Sequence, residues 1–349
     1  MSKDIVICAP VRSAIGSFGG SLKDRPARSA AVKRQFLLAS ILACALAAPL
    51  ATSAAGADTP QTNPVPTAQT AGFGWNKAPT RFVAAGGVNF AYRELGQQNG
   101  GTPVIFLNHL AAVLDNWDPR VVDGIAAKHH VIVFDNRGVG ASGGASPDSI
   151  EQMADDAISL IKALGYQRVD LFGFSMGGMI SQEIVLKEPQ LVRKMILAGT
   201  GPAGGEGISD VAGVANVDLI KGLFTGQDPK QFLFFTRTPG GIEAGKAFLA
   251  RLKERTENRD KEITIAAYMA QLRALQAWGK KQPADLSVVT QPVLIVNGDA
   301  DRMIPTVNSR DLARRLPNST LTIYPDAGHG GVFQFHAKFV SEALDFLAR

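Results

Sequence analysis

The pentapeptide Gly173-Phe174-Ser175-Met176-Gly177, followed by Gly178, constrains the chain most tightly. A β-like run, Arg168-Val169-Asp170-Leu171-Phe172, precedes it, and a helix-like run from Met179 to Lys187 follows. Strand, G-x-S-x-G and helix form the context of a nucleophile elbow, a turn so sharp that the serine is forced into a strained backbone conformation. Glycines two residues before and after keep neighbouring side chains from clashing. Such a serine projects from the sheet edge at a helix N-terminus, where the helix dipole favours developing negative charge.

A serine nucleophile needs a base, and the base needs an orienting carboxylate. Pro292-Val-Leu-Ile-Val-Asn297 reads as a buried parallel strand, followed by Gly298-Asp299-Ala300-Asp301-Arg302-Met303-Ile304-Pro305. A further strand-like run, Ser319 to Tyr324, leads into the loop Pro325-Asp326-Ala327-Gly328-His329-Gly330-Gly331. The candidate triad is therefore Ser175, Asp301 and His329 in chain order, with Asp299 as the competing acid. His129 and His130 precede a strand and His336 falls in the final helix, which leaves His329 as the base. The backbone N–H of Met176, next to the nucleophile, is one expected oxyanion donor. The second is expected from the loop after Val104-Ile-Phe-Leu107, at Ala111, with Leu110 as the alternative; His109 reads as a residue that fixes this loop by hydrogen bonding.

With these motifs the chain resembles the α/β-hydrolase superfamily over about residues 80–349. Phe134-Asp135-Asn136-Arg137-Gly138-Val139-Gly140-Ala141-Ser142 and Leu197-Ala-Gly-Thr-Gly-Pro202 are further matches. The Ser…Asp…His order is that of this superfamily, and Asp301 sits where similar enzymes carry the acid in a G-x-x-D-x-x-x-P loop. Similar enzymes carry His-Gly where this chain has Asn108-His109-Leu110-Ala111, so Leu110 departs from the pattern. The resemblance is to the branch of esterases, lactonases, proline iminopeptidases and cofactor-free haloperoxidases. It implies an α/β fold with a mostly parallel eight-stranded sheet, helices on both faces and a helical cap inserted after the sixth strand.

The strand-like runs are 81–84, 88–92, 104–108, 130–135, 169–174, 194–198, 293–297 and 320–324, several of them continuously apolar, as in parallel strands covered on both faces. The stretch between the sixth and seventh is too long for one crossover, and residues 202–290 are expected to form the cap. Ile265, Tyr268, Met269, Leu272 and Leu275 fall at helical spacing and read as cap core. Gln231 to Thr236 is more aromatic than its surroundings and reads as cap packing or pocket lining. The mixed-charge run Arg251 to Glu262 reads as a solvated helix face.

The first residues belong to a different pattern. Residues 1–24 resemble a thiolase N-terminus, yet the chain's two cysteines, Cys8 and Cys44, do not stand where thiolase chemistry requires them. This segment reads as a fusion or start-site artefact. Residues 25–57 read as a signal peptide: a basic region with Arg25, Arg28, Lys33 and Arg34, an apolar run from Phe36 to Leu50, and Ala55-Gly56-Ala57 before Asp58. The apolar run is shorter than the roughly 20 residues of a spanning helix; an uncleaved anchor and a lipoprotein site at Cys44 are the competing readings. Residues 58–80, rich in Pro, Thr, Ala and Gln, read as a flexible linker to a domain over 81–349.

Charge follows the same division. Of 36 basic and 31 acidic residues, seven and two lie in residues 1–57, leaving 29 and 29 in residues 58–349. The net charge of +5 thus comes from the leader, and no nucleic-acid or membrane-surface argument follows for the mature form. The expectation is a secreted or periplasmic serine hydrolase acting on a small uncharged ester or lactone, with no cofactor and no metal. Perhydrolysis on the same triad and a non-catalytic ligand receptor are the rival readings.

Overall fold

The computed structural model describes residues 74–349. The thiolase-like segment, the signal peptide and most of the linker lie outside them.

Short runs of β-branched and aromatic residues form the eight strands: β1 (Arg81–Ala85), β2 (Val88–Leu95), β3 (Val104–Leu107), β4 (Val131–Phe134), β5 (Val169–Phe174), β6 (Val192–Ala198), β7 (Val293–Gly298) and β8 (Ser319–Tyr324). They make one sheet in the order β1-β2-β4-β3-β5-β6-β7-β8. β1 pairs antiparallel with β2, and β2 with β4; every later pair is parallel. Strands β3 to β7 are buried along their whole length, β6 at all but one residue. Alternate residues feed separate clusters: Ile105, Leu107, Leu171, Leu197 and Ile295 on one face, Phe106, Phe172, Phe174, Ile196 and Val296 on the other. That is the two-residue period of a sheet covered on both sides.

The helices flanking the sheet are α1 (Pro119–Ala126), α2 (Ile150–Ala163), α3 (Met176–Lys187), then, beyond the cap, α8 (Val307–Arg315), α9 (Gly331–Gln334) and α10 (His336–Ala348). Asp118 and Ser149 cap α1 and α2 by accepting from the N–H groups of Arg120 and Gln152. Helix α3 is central, buried from Met176 to Val185. Between β6 and β7 the chain forms α4 (Val211–Thr225), α5 (Lys230–Phe234), α6 (Pro239–Arg251) and α7 (Ile265–Lys280), with no strand. This is the expected helical cap. Helix α7 sends Leu272, Leu275 and Trp278 into the first core cluster, and Phe234 and Phe248 join the second, so the cap is continuous with the core below it.

Three expectations need correction. The linker does not reach residue 80: Trp75 is 3% exposed, its N–H donates to Asp123, and Arg93 stacks on its ring, so the packed domain begins before β1. The run 251–262 is not a helix face, because α6 ends at Arg251 and residues 252–264 form an irregular loop. Its arginines turn inward: Arg251 makes a two-pronged ion pair with buried Asp118, and buried Arg255 lies 3.6 Å from Asp115, which Arg93 holds at 2.5 Å. In α7, Ile265 and Met269 face outward and are more than one-third exposed, and it is Gln271 that is fully buried with Leu272 and Leu275.

Candidate active site

Strand order sets the site. β3 lies between β4 and β5, with Leu107 in register with Gly173, so the loop after β3 meets the turn after β5 at the carboxyl edge of the sheet. The loops after β7 and β8 carry Asp301 and His329 to the same edge.

Ser175 directly follows β5 and is the N-cap of α3, at φ 57°, ψ −117°. The glycines around it are required by close approach. A Cβ on Gly177 would lie 1.9 Å from the Leu107 carbonyl oxygen, one on Gly173 2.4 Å from that of Gly177, and one on Gly178 2.5 Å from Thr200. Met176 is the first residue of α3, so its N–H has no intrahelical acceptor.

His329 is 2% exposed, and its Nδ1–H donates to Asp301 Oδ2 at 2.8 Å. The other oxygen, Oδ1, accepts from the N–H groups of Met303 and Ile304 at 2.8 and 3.0 Å. The carboxylate is thereby fixed by its own loop while it orients the ring. Asp299 instead accepts from Ala327 N–H and serves that turn. Phe174 and Phe234 flank the imidazole, with ring centroids 4.9 and 5.5 Å away. Phe234 also ties the histidine loop to the cap, since its carbonyl accepts from Gly330 N–H at 2.7 Å.

Ser175, His329, His109, Leu110 and Ala111 all line one cavity of about 350 Å³. Leu219, Leu233, Phe234, Ile263, Tyr268 and Met303 supply most of its apolar wall. Asp228, Lys230 and Glu262 bring charge to it, and Asp228 and Glu262 are exposed, which places them at the rim.

The loop after β3 is pinned from below. Asn108 donates to the Phe134 carbonyl at 2.8 Å and accepts from Trp117 Nε1 at 2.6 Å. His109 Nδ1–H donates to the Leu110 carbonyl at 2.8 Å, the fixing role expected of it. Burial drives the His109 pKa down to about 3, so this ring is neutral and its Nε2, buried and without a partner, is an acceptor. Ala111 differs from expectation. Its N–H donates to Gln271 Oε1 of α7 at 2.8 Å, and Gln271 is fully buried and outside the cavity wall. This N–H is engaged by the cap, while His109, Leu110 and Ala111 all line the cavity. Gln271 carried no sequence signal, because its partner lies 160 residues away.

Residues 102–335 match the family model of the alpha/beta hydrolase fold. Among solved structures, an alpha/beta hydrolase fold protein from Chitinophaga pinensis superimposes with a TM-score of 0.73 at 37% identity, covering 79% of this chain and 99% of its own. Est816, described as an N-acyl homoserine lactone degrading enzyme, superimposes with a TM-score of 0.62 at 26% identity over 76% of this chain and 100% of its own. A putative non-heme bromoperoxidase of Mycobacterium tuberculosis H37Rv is 26% identical over 278 residues, 75% of this chain and 98% of that protein. With its sheet order, its cap after the sixth strand and this match, the chain belongs to the α/β-hydrolase fold family, and it is a hydrolase.

Proposed function

We propose that the protein hydrolyses a small carboxylic ester or lactone through an acyl-enzyme on Ser175. The observation that carries this reading is that His329, held by Asp301 through a hydrogen bond of 2.8 Å, lines one cavity with a strained Ser175. Because Nδ1 is committed to Asp301, Nε2 is the nitrogen free to take the Ser175 Oγ proton as the oxygen attacks the substrate carbonyl. Asp301 holds that tautomer and stabilises the imidazolium. The N–H groups of Met176 and Leu110 receive the oxyanion; Leu110 replaces Ala111 in this role because the Ala111 N–H is engaged by Gln271. His329 then returns the proton to the leaving oxygen, and water, deprotonated by His329, releases the acid. The apolar wall favours an uncharged acyl group, with polar atoms toward the charged rim. The lactone-degrading relative agrees with this substrate class.

Labelling with a fluorophosphonate, with turnover of p-nitrophenyl esters of graded length, tests the reading. The label is expected on Ser175 and absent from Ser175→Ala; labelling of that variant, or full turnover by it, would overturn the proposal. The bromoperoxidase relative supports a second reading, in which hydrogen peroxide instead of water releases the acyl group as a peracid. Carboxylate- and peroxide-dependent bromination by the wild type, lost in Ser175→Ala, would distinguish it.

A further inference from the structure

The tip of the loop after β3 is held in a conformation that its own residues do not favour. Ala111 has φ 64°, the left-handed region that glycine enters freely and a residue with a Cβ does not. Neighbouring residues are tied within the core or the loop: Asn108 to Phe134 and Trp117, His109 Nδ1 to Leu110, Ala112 N–H to the His109 carbonyl, and Val113 N–H to Asn116. The Ala111 N–H is tied to the cap, through Gln271 Oε1 at 2.8 Å.

Gln271 is a rigid partner. It is fully buried, and Leu272, Leu275 and Trp278 on the same helix pack into the sheet core. Trp278 Nε1 donates to the Gly201 carbonyl just beyond β6, and Ala267 packs against Val113 of the loop itself. Thr264 caps the helix start by accepting from Ala267 N–H. The acceptor therefore sits at a fixed place relative to β5 and β6, and it fixes the Ala111 peptide in turn. Gln271 does not line the cavity, whereas Leu110 and Ala111 line it together with Ser175, so the bond to Gln271 fixes a loop segment that faces the serine.

We infer that Gln271 is a positioning residue: through the Ala111 N–H it holds the loop so that the Leu110 N–H faces the oxyanion formed at Ser175. The inference rests on the acyl-enzyme reading and assigns to the cap a part in the chemistry, beyond enclosing the substrate. No atom of Gln271 touches the substrate in this scheme. Its loss acts on the transition state, where the oxyanion develops, and little on ground-state binding.

The test uses the full chain and p-nitrophenyl acetate and butyrate. Gln271→Met keeps the volume and removes the acceptor; Gln271→Glu keeps an acceptor oxygen; Ala111→Gly removes the steric objection to φ near 64°. Gln271→Met is expected to lower kcat about tenfold or more, a part of the ~10²–10³ that a whole oxyanion donor supplies, with KM little changed. Fluorophosphonate titration should count the same number of active sites. Gln271→Glu should recover part of the loss. In the Ala111→Gly background, Gln271→Met should cost clearly less than in the parent. If Gln271→Met does not fold, Gln271→Asn, whose oxygen falls one methylene short, should show the same fall in kcat. Turnover that survives Ser175→Ala overturns the acyl-enzyme reading and this inference with it. Turnover lost in Ser175→Ala but kept in full by Gln271→Met, or by Gln271→Asn in its place, overturns this inference alone, as does an equal loss in both backgrounds.

Discussion

Ser175, at φ 57° and ψ −117°, occupies backbone space that costs on the order of 1–3 kcal/mol and persists only where the surroundings over-determine it. Here the surroundings are Leu107, Thr200 and Gly177 itself, each so close that no Cβ fits at the three flanking glycines. The glycine spacing was legible as a motif because this steric demand is local. The acid was legible only as a choice between two carboxylates two residues apart. The structure separates them by partner: Asp301 holds His329, and Asp299 holds Ala327. Asp301→Asn is therefore expected to lower kcat by roughly 10³–10⁴, since an amide stabilises the wrong tautomer and no imidazolium. Asp299→Asn should lower Tm slightly and leave kcat nearly unchanged. Steady-state kinetics of the two variants side by side check the assignment, and a severe loss at Asp299 with near-normal Asp301→Asn would reverse it. Ala111 shows the limit of motif reasoning. The sequence places it in the correct loop, but the direction of an N–H depends on a partner in another element.

At the scale of elements, the strands were legible because continuous apolar runs have few other fates in a chain of this length, whereas cap details were not. Apolar spacing in α7 marks Leu272 and Leu275 correctly, but it does not report that Gln271 is buried between elements with its Oε1 on the Ala111 N–H. The mixed-charge run 251–262 has the composition of a solvated helix, and only the buried Asp115 and Asp118 explain why Arg251 and Arg255 turn inward. Two predictions belong here. Leu233 is half-buried in the cavity wall, so Leu233→Ala should move the preferred ester toward longer acyl chains with Ser175 reactivity intact. Phe234 is the poorer choice, because its ring lies against His329, His109 and Phe174. An unchanged chain-length profile in p-nitrophenyl ester kinetics would show Leu233 to be packing only. The second prediction concerns Asp135 after β4, whose carboxyl is pushed well above its ordinary value of 3.8, first by burial and then by Asp260 of the cap loop. The folded chain thus holds this proton more tightly than the unfolded chain, and stability falls as pH rises from the ordinary carboxylate range through the raised folded value. Asp260 Oδ2 is buried without a partner, and an amide there could donate to Asp135. Asp260→Asn should therefore melt with the wild type near pH 4 and become the more stable of the two as pH rises toward 8. Thermal melts across this range check the sign, and a gap that widens on acidification would contradict it.

For the whole molecule, sheet order joins the pieces. A swap of β3 and β4 and parallel pairing beyond it bring three loops, drawn from positions 108 to 329, to one edge, and this follows from the family resemblance more than from any local pattern. The start of the packed domain was misplaced because a lone tryptophan in a Pro- and Thr-rich stretch gives no period to read; Trp75 is buried by Asp123, Arg93 and Arg255, all distant in sequence. We propose that residues 25–57 act as a secretory leader and that residues 1–57 stand outside the catalytic unit. Charge offers an independent reason: those residues carry seven basic and two acidic groups, while residues 58–349 balance at 29 and 29. Among the described residues, 74–349, the proposed triad acid and base and the loop after β3 already find partners: Asp301 holds His329, its own loop holds Asp301, and Gln271 holds the Ala111 N–H. A chain beginning at Asp58 retains Trp75 and everything it packs against, so it should fold, keep the kcat/KM of the full chain and lose its net positive charge on ion exchange. A chain beginning at Arg81 lacks Trp75 and should melt several degrees lower, because a buried indole under Arg93 and the backbone N–H that donates to Asp123 are gone. Loss of folding or turnover on removal of residues 1–57 alone would place part of that segment in the catalytic unit and overturn the division.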